Sequence, residues 1–162
     1  MSDPTESQRD ESKVPFEVAA VLGSTLQRLL AEVTFADAWI LPDADSPDRL
    51  PADDLLVELP VTAPWNGRLL LTGDLATVQD LAAGFHSIPD EMADRSISLD
   101  FLAELGSILL RDLFCASDVA VSLRDPRELS AADAAGFWSA ASASRVALGC
   151  NQGRIHVALC AP

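Results

Sequence analysis

The chain of 162 residues suits a single domain, large enough to bury about 70% of its unfolded surface without disulfide or metal staples. A hydrophobic content of 49% and a mean hydropathy of +0.19 exclude a disordered chain, yet no apolar run reaches the ~18 residues that cross a bilayer. A net charge of −14 argues against nucleic acid or anionic lipid as partners, and the single lysine, Lys13, leaves none in the folded part for Schiff-base or Walker-type chemistry.

Residues 1–14 read as a solvated acidic tail without the basic start and apolar middle of a secretory signal, so the expected location is the cytoplasm. Residues 15–162 make the domain. Pro15 suits a first helical turn, and a helix is predicted over residues 16–32: Val18, Val21, Leu22, Leu26, Leu29 and Leu30 recur at helical spacing while Gln27, Arg28 and Glu32 face away. Residues 34–41 read as a strand and 42–53 as an acidic, proline-rich loop. Leu55, Val57, Leu59 and Val61 then alternate with Leu56, Glu58, Pro60 and Thr62, and Pro60 shifts that strand toward a sheet edge. Asn66-Gly67 marks a tight turn into a strand over 68–72, and Asp74 caps a helix running to Phe85.

The second half repeats this order. Ser98 is the expected cap of a helix over 99–114, followed by a strand over 119–123 and a loop holding Asp125, Pro126 and Glu128. Two strands, over 136–150 and 154–160, flank Asn151-Gln152-Gly153 as a closing hairpin. The expected class is α+β: a duplicated helix-plus-three-strands unit, a largely antiparallel six-stranded sheet, two long helices on one face and one connecting helix.

Two stretches about eighty residues apart support the duplication. Ala20-Val21-Leu22-Gly23-Ser24-Thr25-Leu26-Gln27-Arg28-Leu29-Leu30 and Ala103-Glu104-Leu105-Gly106-Ser107-Ile108-Leu109-Leu110-Arg111-Asp112-Leu113 share Ala-x-Leu-Gly-Ser-x-Leu-x-Arg-x-Leu. Only the second has an acid inside the pattern, Glu104 in place of Val21. Asp100, Glu104, Ser107 and Arg111 fall on one helical stripe, opposite Leu102, Leu105, Leu109 and Leu113. Two acids at i and i+4 repel by a few tenths of a kcal/mol and a mid-helix glycine costs about 1 kcal/mol, so Asp100, Glu104 and Gly106 are poor choices for stability alone. Gly23 and Gly106 are expected where a backbone approaches closely, and the acids where a partner docks.

Asp100-Phe101-Leu102-Ala103-Glu104-Leu105-Gly106-Ser107 resembles the Asp-x-x-x-Glu-x-x-Asn helix motif of the CheX/CheC-type chemotaxis phosphatases. Trp65-Asn66-Gly67-Arg68-Leu69 is similar to that family's aromatic-x-Gly-x-apolar strand start, and the likeness spans residues 16–159. CheC-type members carry the motif on both helices and CheX-type members once. Val21 makes this chain resemble the latter.

The resemblance implies hydrolysis of the aspartyl phosphate of a CheY-like response regulator. The motif Glu, here Glu104, would contact a lysine of the regulator, and the Asn carboxamide would orient the attacking water. Ser107 stands in the Asn position, and its hydroxyl stops about 2 Å nearer the backbone. Because such catalysis is positioning, activity is expected to be weak or absent, with Glu104, Asp100 and Arg111 as partner-binding residues. No cofactor of the chain's own is expected, since Mg2+ would be carried by the regulator. Similar proteins include parts of the flagellar switch, and some dimerise through sheet edges, a role expected here for the strand ending at Leu148.

Other polar residues carry less. Asp43, Asp45, Asp48 and Asp54 lack the sixth-position Gly and twelfth-position Glu of a calcium loop and read as solvated. His86, His156 and Ser24 lack ligand-spaced or triad companions. Cys115, Cys150 and Cys160 read as reduced core thiols, and Trp39, Trp65 and Trp138 as core or hairpin aromatics, with Trp65 the one that a turn could expose.

Overall fold

The computed structural model describes residues 13–42, 50–140 and 142–162, so the predicted tail lies outside it apart from Lys13 and Val14, as do Asp43, Asp45 and Asp48. Its first helix, α1 (Phe16–Thr34), buries Val18, Leu22, Leu26, Leu29 and Leu30 as the spacing required, but leaves Val21 of the same predicted set exposed. The helix outruns its predicted end because Thr34 Oγ1 donates to Leu30 O at 2.6 Å inside the last turn. Phe35, at φ 59°, ends it, and the strand expected over 34–41 shrinks to β1 (Ala38–Ile40).

β2 (Leu55–Ala63) and β3 (Gly67–Gly73) pair antiparallel, with Val61 opposite Gly67. The turn is therefore wider than the two-residue Asn66-Gly67 turn expected, and no glycine has positive φ. Gly67 serves another purpose: a Cβ there would lie 2.2 Å from Trp65 Cζ2 and 2.6 Å from Cys160 O. Trp65 is thus buried, not exposed at the turn. Asp74 caps α2 (Leu75–His86) by accepting from Thr77 N at 3.1 Å.

After a 3-10 turn at Asp90–Met92 comes α3 (Arg95–Leu113). It starts earlier than predicted: Asp94 caps it by accepting from Ile97 N at 2.9 Å, and Ser98 sits within the first turn, its Oγ donating to Asp94 O. Phe101, Leu102, Leu105, Leu109 and Leu110 are fully buried, each burial stabilising by about 1.5–3 kcal/mol. The strand expected over 119–123 is only β4 (Ser122–Leu123), and the following loop contributes β5 (Arg127–Glu128).

The largest correction follows. The strand expected over 136–150 is helix at its start, where residues 136–138 end α4 (Ala131–Trp138), and strand begins only at β6 (Ser144–Cys150), which turns back into β7 (Arg154–Cys160). Ser130 caps α4 by accepting from Asp133 N, alanines favour the helix, and Ala134 and Trp138 bury against Leu56, Leu70, Ala158 and Cys160. α1, α2 and α3 share the main core on the other side of the sheet.

The sheet order is β1-β6-β7-β3-β2-β4, with β5 also on β2. It reads the same backwards when the halves are exchanged, β1 for β4, β2 for β6 and β3 for β7. Each half lends its first strand to the other half's edge. α1 rests on β1 and β6, α3 on β2 and β3. The two repeat glycines sit at these contacts: a Cβ on Gly23 would meet Val146 at 3.0 Å and Ile40 at 3.3 Å, and one on Gly106 would meet Leu59 at 2.8 Å and Leu71 at 3.1 Å. The close approach expected of them is therefore observed. β1 pairs β6 at Leu148–Cys150, so the end of the expected edge at Leu148 is covered within the chain.

Candidate functional site

α3 turns one stripe to the sheet and the opposite stripe to solvent. Asp100, Glu104 and Arg111 are exposed on that outer stripe, with Ser107 half-buried among them. At 1.5 Å per residue, Asp100 and Arg111 stand about 16 Å apart along the axis, with Glu104 and Ser107 one turn from each other between them. None of the four makes a side-chain hydrogen bond or ion pair to another described residue, so the Glu104 carboxylate and the Ser107 hydroxyl keep their acceptor positions for something outside the chain.

Neighbouring groups fix the ridge. Arg28 of α1 donates from Nη2 to Asp112 Oδ2 of α3 at 2.7 Å and from Nη1 to Glu32 Oε2 at 3.1 Å. The paired carboxylates, Asp112 first, raise the guanidinium's pKa. Both partners are substantially exposed, so this link sets register more than it stabilises.

The repeat reaches further than the sequence comparison took it. At the same spacing that relates Val21 to Glu104, Glu17 matches Asp100, and Glu17, Val21, Ser24 and Arg28 form an exposed stripe on α1 like that on α3. Extending the two strings by one helical turn would have found Glu17. Ser24 spends its hydroxyl on Val21 O at 3.2 Å, and Val21 is 43% exposed. α1 therefore lacks the central acid but keeps the frame.

The side chains set aside earlier have distinct fates. His86 is exposed, while His156 is buried edge-on to Trp138, its Nδ1 without a partner. Burial, then the Arg154 charge, lowers the pKa of His156. Cys150 and Cys160 are buried and their thiols pushed up to about 11, chiefly by desolvation, but Cys115 is exposed, contrary to the core reading. Trp65 and Trp138 are core residues, whereas Trp39 is 47% exposed, its indole lying across Gly149. Among the described residues no group of three or more His, Cys, Asp or Glu could hold a metal, and no helix is long and apolar enough to cross a membrane.

A convex helical ridge with two unpaired carboxylates, Asp100 and Glu104, suits docking by a macromolecule carrying a cation better than enclosure of a small substrate.

No family model matches the chain. No curated protein matches it either. Solved structures do. A chain of the CheX–CheY–BeF3–Mg2+ complex from Borrelia burgdorferi aligns with TM-score 0.62 at 15% identity, over 89% of this chain and 95% of its own. CheX from Vibrio vulnificus gives TM-score 0.62 at 12% identity over 89% and 95%. FliY from Thermotoga maritima gives 0.56 at 10% over 91% of each chain. At such identities the likeness is one of fold, and the chain has the α+β, largely antiparallel CheX/CheC-type fold.

Proposed function

From that fold as premise, we propose that the chain is a CheX-like signalling protein that binds a CheY-like response regulator through Glu104 on α3 and hydrolyses its aspartyl phosphate weakly or not at all. The observation that carries this reading is the position of Glu104: exposed and unpaired at the centre of the ridge, on the second of two duplicated helices. One solved structure of the same fold is a complex containing CheX and CheY. A carboxylate on a rigid helix can accept a charge-assisted bond from a lysine of the regulator, with Asp100 and Arg111 flanking the contact. Mg2+ would come with the regulator.

The weak activity follows from Ser107. Its short, half-buried hydroxyl would hold a water further from phosphorus than an Asn amide does, and ~1 Å of misplacement can cost about a hundredfold in rate. Neither asparagine stands in for it, nor does Gln27. Asn66 and Asn151 lie in hairpin turns, and Gln27 donates to Ala38 O at 2.9 Å. The free cysteines suit a reducing compartment such as the cytoplasm.

Following dephosphorylation of a phosphorylated cognate regulator tests this. The regulator's own rate should persist with the wild-type chain, and Ser107→Asn should raise it. A wild-type rate clearly above the regulator's own, abolished by Ser107→Ala, would replace the binder by an active phosphatase.

Self-association is a second reading, moved from the strand ending at Leu148 to β1. This edge strand presents Trp39 and Ile40 about half exposed. Light scattering on wild type and Ile40→Lys would test it: a dimer lost in the variant supports it, and a wild-type monomer removes it.

A further inference from the structure

The sheet face turned away from α1, α2 and α3 carries a polar feature that regulator binding leaves unused. Pro60 shapes it. Its carbonyl accepts from Arg124 N at 3.0 Å, so this residue's backbone faces the chain linking β4 and β5. A strand residue points its N–H toward the same neighbour as its carbonyl, and proline has none to give. The outer ladder breaks there: β4 pairs at Val61 and Ala63, β5 at Val57 and Glu58. A cleft of about 550 Å³ opens at the break, with Glu58, Arg68, Arg124, Asp125 and Arg127 in its lining.

Glu58 anchors the cleft. Its side chain is only 1% exposed, and its two oxygens accept from Arg68 Nη1 and Arg127 Nη2, each at 2.6 Å. The Arg68 guanidinium also lies 3.6 Å over the Phe137 ring of α4, so it is fixed from two sides. One arginine neutralises a buried carboxylate. The second is surplus, and the Arg127 side chain is 60% exposed with further N–H groups beyond its single bond to Glu58. Arg124 is exposed and makes no side-chain bond among the described residues. Counted on side chains, three guanidiniums and two carboxylates line the cleft, and Pro162, the last residue of the sequence, lines it too, so the attraction for an anion rests on the unused N–H groups of Arg124 and Arg127 rather than on an excess of charge.

We propose that this cleft binds a small oxyanion, a phosphate monoester or a dicarboxylate, through Arg124 and Arg127 on the frame set by Arg68 and Glu58. The guanidinium fork matches either oxyanion in a bidentate arrangement, and the volume falls within the roughly 300–1,000 Å³ of small-ligand sites. The cleft does not involve α3, so this site stands or falls independently of Glu104.

Titrating the full isotope-labelled chain with inorganic phosphate and, separately, with succinate, while following amide and arginine Nε–H resonances by NMR, tests the assignment. Saturable shifts centred on Arg68, Arg124 and Arg127 at millimolar concentration or below are expected with at least one probe, and the tighter probe names the class. Arg124→Ala should weaken binding at least about tenfold with the sheet resonances unmoved, and Arg127→Lys, which keeps a counter-charge for Glu58, should weaken it too. Shifts that stay linear with both probes, or an affinity unchanged in Arg124→Ala, would overturn the proposal and leave these arginines only closing the sheet margin.

Discussion

Val21 on α1 and Glu104 on α3 occupy equivalent places on two helices that the sheet relates by a pseudo-twofold axis, and both point to solvent. Their difference therefore answers to something other than packing. Glu104→Val and Val21→Glu should each change unfolding free energy by less than about 1 kcal/mol, since exposed substitutions cost little beyond helix propensity. Urea unfolding of the two variants checks this. A loss of several kcal/mol for Glu104→Val would give the acid a role in the fold.

The glycines at helix contacts should rank by what their missing Cβ would strike. A Cβ on Gly84 would lie 2.5 Å from the backbone oxygen of Thr34, where α2 crosses the end of α1, and backbone cannot yield cheaply. Gly84→Ala is expected to lose roughly 1–3 kcal/mol despite its gain in helix propensity. Gly106→Ala strikes Leu59 at 2.8 Å and should cost less, and Gly23→Ala, at 3.0 Å from Val146, least. Equal midpoints in urea for the three variants would contradict this order.

Acid should weaken the fold through His156. Burial lowers its pKa below the ordinary 6.5, so just below that pH the unfolded chain binds a proton that the folded one refuses. Stability from this group is complete above pH 6.5, falls as pH drops below that value, and is fully lost only below the depressed folded pKa. His156→Gln should flatten the pH dependence of the melting temperature in that window. An unchanged slope would place the sensitivity elsewhere.

Thiol labelling should separate the cysteines. Cys115 is exposed, whereas desolvation holds Cys150 and Cys160 near 11 and keeps them protonated at neutral pH. Native protein should take up one equivalent of a maleimide quickly and the remaining two only on unfolding. Rapid labelling of all three would contradict the burial of β6 and β7.

Much of this was legible in the sequence because it is periodic. Apolar spacing placed α1 and α3, alternation placed β2, and the twice-written Ala-x-Leu-Gly-Ser pattern announced the duplication together with its two close-packed glycines. The failures have physical causes. α4 is only eight residues long, too short for its period to stand out, and its burial depends on Leu56, Leu70 and Ala158 from distant strands. The Asn66-Gly67 pair looked like a tight turn because the sequence does not show the Trp65 indole lying across Gly67. The start of α3 was missed because Asp94 and Ser98 are both good capping residues four apart. Spacing placed Asp100, Glu104 and Arg111 on the outer face of α3, where they are exposed. It could not find the Glu58 cleft, because Arg68 and Arg127 meet that carboxylate only after β2 has paired on both sides.

The affinity of a phosphorylated CheY-like regulator for wild type and for Glu104→Val, measured by calorimetry on the full chain, tests the central claim most directly. The account predicts saturable binding to wild type and at least about a tenfold weakening in the variant, the cost of losing a charge-assisted contact. Equal affinities for both proteins would contradict it.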